Sequence, residues 1–134
     1  MSRKANKYIS LAKTTAMQSS YGKFRHGAVL VKGSSVRNIS SNKDRYCGFG
    51  CRFRRNDQGN PTLHAELGVI LGLDRSVTQG STVYVARINN EGDTRMSKPC
   101  SMCEAALIHC GVKKVVYTTS KGTIETFKLE KEVV

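Results

Sequence analysis

The sequence predicts an α/β fold, a mixed sheet with helices on both faces, and three observations carry that expectation. Short apolar runs bounded by glycine and serine alternate with segments whose apolar residues return every three or four positions. Their order reads α-β-β-α-β-α-β-β, a layered arrangement around one sheet. The last two apolar segments are joined only by Thr119 to Gly122, too short for the crossover that parallel neighbours need, so a fifth strand must pair antiparallel to the fourth.

The first helix is read from Ala5 to Ser19, where Ala5, Tyr8, Ile9, Ala12 and Ala16 share a face and the far face is basic. Gly27 to Val31 is a buried strand, Lys32-Gly33-Ser34 a turn, and Ser35 to Ser40 the partner strand of a hairpin. Ser41 to Pro61 reads as irregular. A second helix runs from Leu63 to Leu73 with Thr62 as its cap. Ser81 to Ile88 is the third strand, and Asn89 to Lys98 is a polar loop. The third helix is expected to start at Pro99, whose missing N–H is no loss in a first turn, and to end at Gly111 in the C′ position. Val112 to Thr118 is the fourth strand. Thr123 to Leu129 is the fifth, although Ile124 and Phe127 at spacing three also suit a helix.

The 134 residues, 39% of them apolar, suffice for one core and one domain over 1–134, which excludes a two-domain reading. No apolar stretch has the length of a membrane span, and the first twenty residues carry Arg3, Lys4, Lys7 and Lys13 without a signal-peptide apolar block. The expectation is a cytoplasmic protein with no membrane partner. Five cysteines, an odd number that includes Cys100-x-x-Cys103, point to thiols or metal ligands in place of a disulfide framework.

The net charge of +12 is unevenly placed. Residues 1–55 hold thirteen basic residues against Asp44 alone, whereas residues 56–134 balance to zero. Such asymmetry favours an anionic partner, a nucleotide phosphate or nucleic acid, against the plainer reading of a solvated surface.

The chemistry sits at two predicted helix starts, His64-Ala65-Glu66 and Pro99-Cys100-Ser101-Met102-Cys103. Thiolates at i and i+3 lie one turn apart on one face, and an imidazole completes three ligands for zinc with the fourth position open, as in a catalytic site. Glu66, two residues beyond the histidine, is placed near the metal to handle protons on a water whose pKa the metal lowers toward ~7. Cys110, about 10 Å further along the helix from Cys103, is too far to join the same ion and reads as a small buried residue. Cys47 and Cys51 read as free thiols, with a second metal or a bridge as alternatives.

Taken as a pair, H-x-E and P-C-x-x-C form the zinc-deaminase signature. The chain resembles the cytidine and deoxycytidylate deaminase superfamily over nearly its whole length. The matching residues are Gly27-Ala28-Val29, Asn42, His64-Ala65-Glu66, Tyr84-Val85, Ser97 to Cys103 and Val115-Val116-Tyr117. The resemblance implies a three-layer α-β-α cytidine-deaminase-like fold with a mixed five-stranded sheet. It also implies zinc on His64, Cys100 and Cys103, one ion per chain, with Glu66 as proton shuttle and a homo-oligomeric assembly. Substrate contacts would come from Asn42 to the sugar, from the backbone at Ala65 to the base edge, and from Ser97. Asn42 suits a turn equally well.

Two functions remain open. One is deamination of cytosine in free (deoxy)cytidine or its nucleotides, with Arg52, Arg54 and Arg55 before the catalytic helix neutralising phosphate. The other is deamination of cytosine or adenine in single-stranded DNA or RNA held on the basic 1–55 region, with the loop aromatics stacking on bases. Histidine as first ligand resembles the deoxycytidylate, tRNA-adenosine and polynucleotide enzymes, while the short Thr119 to Gly122 link resembles free cytidine deaminases. The free nucleotide is the favoured expectation.

Overall fold

Helix α1 (Arg3–Ala16) buries Ala5, Tyr8, Ile9, Ala12, Thr15 and Ala16, the three- and four-residue spacing that one helix face requires. The computed structural model describes residues 3–19, 25–46, 62–89 and 91–129. After α1 come β1 (Arg25–Lys32), β2 (Ser35–Ser41), β3 (Lys43–Tyr46), β4 (Thr62–Leu63), α2 (Ala65–Ile70) and α3 (Arg75–Thr78). The remainder is β5 (Thr82–Ile88), β6 (Thr94–Arg95), α4 (Ser101–His109), β7 (Lys114–Thr118) and β8 (Ile124–Lys128).

The main sheet has the order β2-β1-β5-β7-β8, with β6 added to the end of β5. β5 and β7 are parallel and every other pair is antiparallel, including β7 with β8, so the fifth long segment is the expected antiparallel strand. The sixth, two-residue strand was not expected: Thr94 and Arg95, within the anticipated polar loop, pair with Ile88 and Arg87. Lys43 and Tyr46 likewise pair with Leu63 and Thr62 inside the stretch read as irregular. That ladder takes Thr62 out of the cap position, and the helix begins at Ala65 with His64 as its cap.

Strand periodicity sorts the core into two layers. Ala28, Leu30, Val83, Val85, Val115 and Tyr117 point to one face and pack with Leu67, Val69, Ile70, Met102, Ala106 and Leu107 of α2 and α4. Val29, Val31, Tyr84, Ala86 and Val116 point to the other and pack under Ala5, Tyr8, Ile9 and Ala12 of α1. The helices therefore cover both faces, as expected. Gly27 permits the closest approach: a Cβ there would fall on the Ala12 carbonyl and lie 2.5 Å from the Ala16 amide nitrogen.

Helix α2 is shorter than expected because Gly72, at φ +78°, turns the chain before Leu73. Helix α4 starts at Ser101 instead of Pro99, since Cys100 adopts the extended φ −68° and ψ 170° of a cap. Its other end is as expected. Gly111, at φ +85°, closes a Schellman motif in which the Val112 and Gly111 amides donate to the Leu107 and Ile108 carbonyls.

Candidate metal centre and active site

His64 caps α2 and Cys100 caps α4, and the two helix starts meet on one face of the sheet. Nδ1 of His64 lies 3.2 Å from Sγ of Cys103 and 3.9 Å from Sγ of Cys100. All three ligand atoms fall within 4.8 Å of one another. A tetrahedral zinc with bonds of about 2.0 Å to nitrogen and 2.3 Å to sulfur sets its ligand atoms roughly 3.5–3.8 Å apart, so the donor set fits that ion. Cys103 is buried, His64 half-buried and Cys100 exposed, which leaves the open side of the cluster toward solvent.

The protons on the metal-free cluster are arranged in one direction. A hydrogen bond from Cys103 leads the causes that hold the Cys100 thiol down at about 4, and His64 and the Cys103 backbone N–H act the same way against burial. Cys103, sharing that bond and buried, is pushed well above the ordinary thiol range. His64 is raised, foremost by its hydrogen bond to Cys100. Burial lifts the Glu66 carboxyl from 4.5 to about 7, with the nearby His64 opposing it. A buried carboxyl poised near neutrality and bonded to Cys103 can hold or release a proton beside the cluster. Both helix starts add the positive end of a dipole, which suits thiolate.

The other sequence-predicted residues are placed as follows. Asn42 is buried at the end of β2, where its Oδ1 accepts the His26 amide at 2.9 Å. Because the next residue pairs with Leu63, Asn42 also lies beside the approach to His64. Ala65 is the fully buried first residue of α2. The Ser97 hydroxyl is occupied by the protein: it donates toward the carbonyls of Val85 at 3.0 Å and Thr118 at 3.2 Å and accepts from the Thr118 amide at 2.8 Å and hydroxyl at 2.9 Å. Arg52, Arg54, Arg55, Cys47 and Cys51 lie outside the described residues. Cys110 sits half-buried at the far end of α4, apart from the cluster. Thr118 escaped the sequence reading. Its hydroxyl ties Ser97 and the Arg95 carbonyl to β7, which fixes the loop that delivers Cys100.

The family model for the cytidine and deoxycytidylate deaminase zinc-binding region matches residues 2–119. The chain belongs to that family. It is a deaminase of the cytidine and deoxycytidylate class, and zinc is the cofactor that the family region and the His64–Cys100–Cys103 cluster support. A deoxycytidylate deaminase of Mycobacterium phage D29 is 27% identical over 125 residues, covering 82% of this chain and 90% of that protein. Among solved structures, the dCMP deaminase of cyanophage S-TIM5 is 26% identical with a TM-score of 0.62, covering 89% of this chain and 86% of its own. That cyanophage protein has also been solved in complex with dCMP and dUMP. A cytidine deaminase of Burkholderia pseudomallei shares the fold at 19% identity and a TM-score of 0.65, covering 96% of this chain and 94% of its own. No helix among the described residues is long and apolar enough to cross a membrane.

Proposed function

We propose that this deaminase converts cytosine to uracil in free (deoxy)cytidine or its nucleotides, deoxycytidylate foremost, with release of ammonia. The observation that carries the reading is a buried carboxyl, Glu66, beside three ligand atoms gathered within 4.8 Å at the mouths of two helices. Its nucleotide form is supported by the phage relatives, which are named for deoxycytidylate, one of them solved with dCMP and dUMP.

His64, Cys100 and Cys103 would hold zinc, which when bound supplies Lewis acidity and a lowered pKa for water. Glu66 accepts a proton from the attacking water and hands it to the ring nitrogen adjoining C4 as oxygen adds to that carbon. On collapse it takes the remaining proton from the new C4 hydroxyl and delivers it to the amino group, so that the C4–N bond breaks and ammonia leaves as the carbonyl forms. Water supplies the new carbonyl oxygen, so no oxidant is consumed. Asn42 and the α2 start at Ala65 border the substrate, whereas Ser97 positions the loop carrying Cys100. Arg52, Arg54 and Arg55 are assigned to the substrate phosphate.

The basic 1–55 region favours a second reading, deamination within a single-stranded polynucleotide. Ammonia release measured side by side on cytidine, deoxycytidine, their mono- and triphosphates, adenosine and single-stranded oligonucleotides separates the two. Turnover of free cytosine nucleotides is expected. Turnover confined to oligonucleotides, falling steeply with salt, would replace the first reading with the second.

A further inference from the structure

The two sulfurs of the cluster are in contact and differ in access. Cys100 is exposed and caps the nine-residue helix α4 with its backbone still extended, whereas Cys103 lies fully buried in the first helical turn. Cys103 bonds to the Cys100 sulfur through both its thiol and its backbone N–H. Positions i and i+3 of one turn stand within the separation that a disulfide spans. Among the described residues the other cysteine is Cys110, at the far end of α4, about 10 Å along the helix and too remote to serve either sulfur.

Zinc and a disulfide compete for the same pair. The metal is held by thiolates, and a disulfide sulfur has no such charge to offer. Oxidation of the pair therefore removes two of the three ligands at once and leaves His64, a single ligand, to hold the ion. Access decides where oxidation begins. A small oxidant meets the exposed sulfur first, and the buried sulfur stands behind it, placed to displace whatever the first has acquired.

We propose that Cys100 is a modification site for peroxides and small disulfides, with Cys103 as the thiol that completes the reaction and loss of zinc as its consequence. With a peroxide, the Cys100 sulfur attacks one oxygen, the O–O bond breaks, and the departing hydroxide takes up the thiol proton as water. The Cys103 sulfur then attacks the sulfenic sulfur, the S–O bond breaks, and a second water leaves with the Cys103 proton. Two thiols have lost two electrons and two protons, and hydrogen peroxide has gained both. With glutathione disulfide, Cys100 first displaces one glutathione thiol and Cys103 then displaces the other, so the same two electrons pass to the oxidant. The inference rests on the zinc site and not on the substrate proposed above.

The test treats the zinc-loaded protein, freed of reductant, with hydrogen peroxide in one arm and glutathione disulfide in another. Zinc is measured in the filtrate, thiols by titration and linkages by peptide mass mapping. One zinc is expected to leave for every two thiols lost, with a Cys100–Cys103 disulfide in the map, and reductant plus added zinc should restore the starting protein. A diketone that traps sulfenic acid should label Cys100 in the peroxide arm, and glutathione should appear on Cys100 when the other arm is quenched early. Response in one arm alone supports the site and identifies that oxidant class as its source. Cys110→Ala should respond as the wild type does. Zinc retained in both arms, a bridge through Cys47, Cys51 or Cys110 in place of Cys100–Cys103, or first label on Cys103 would overturn the inference. The readouts are metal, thiols and mass, so they stand apart from turnover of any substrate.

Discussion

The amide of Thr118 donates to the Ser97 hydroxyl at 2.8 Å, and the amide of Ser97 donates back to the Thr118 carbonyl at 2.9 Å. This reciprocal pair joins the end of β7 to the loop that delivers Cys100. Replacing Ser97 by Ala takes from the buried Thr118 amide its hydroxyl partner, while the Thr118 hydroxyl keeps the Arg95 carbonyl at 2.8 Å. The expected cost is about 2 kcal/mol of stability, read by urea unfolding, with kcat falling more than KM rises because the loop and not a substrate contact is lost. A larger change in KM than in kcat would place the hydroxyl on the substrate instead.

Glu66→Gln should retain one zinc per chain and lose turnover by roughly 10²–10⁴-fold or more. Metal content by atomic emission and ammonia release by coupled assay check the two halves separately. Retained turnover removes the proton-transfer role.

Cys100→Ser should lose zinc and thermal midpoint together, since metal affinity at such a cluster is shared with folding. A variant that keeps its midpoint while losing zinc would mean that the cluster contributes nothing to the fold.

The metal-free protein has a specific pH signature. Burial raises the Glu66 carboxyl from 4.5 to about 7. The folded chain therefore keeps a proton there that the unfolded chain releases, and this group's contribution to stability is full below 4.5 and is lost as pH climbs to about 7. Cys100, lowered from 9.0 to about 4, works oppositely, and its contribution grows from pH 4 to 9. Glu66→Gln removes only the first. The stability of the wild type minus that of the variant, both stripped of zinc, should fall by on the order of 3 kcal/mol between pH 4.5 and 7. A flat difference across that window would contradict the buried position of the carboxyl.

Gly27→Ala should destabilise by about 1–3 kcal/mol or prevent folding, because its methyl meets backbone atoms of α1 that cannot rotate away. Chemical denaturation provides the measure. The same substitution at Gly33, whose added Cβ meets nothing within 4 Å, should act only through its φ of +60° and cost less.

The metal cluster was legible in the sequence because coordination chemistry demands particular residue types at particular intervals, and Cys100 and Cys103 show the interval of one helical turn. The two-sided sheet was legible because strands such as Val83-Tyr84-Val85 are apolar on both faces. Contacts between distant segments were not. Nothing near Thr62 announces that it pairs with Tyr46, so the cap fell to His64. Nothing local marks Thr118 as the partner of a serine twenty-one residues earlier.

His64 makes no side-chain cap bond to its own helix, although it occupies the position where such a bond usually forms. Its ring is turned toward Cys103 and Cys100 instead. An ion seated there would act as a latch that ties the uncapped start of α2 to the start of α4. Depleting it would loosen α2, only six residues long, before any part of the sheet gives way, so catalytic competence and local order would disappear and return together.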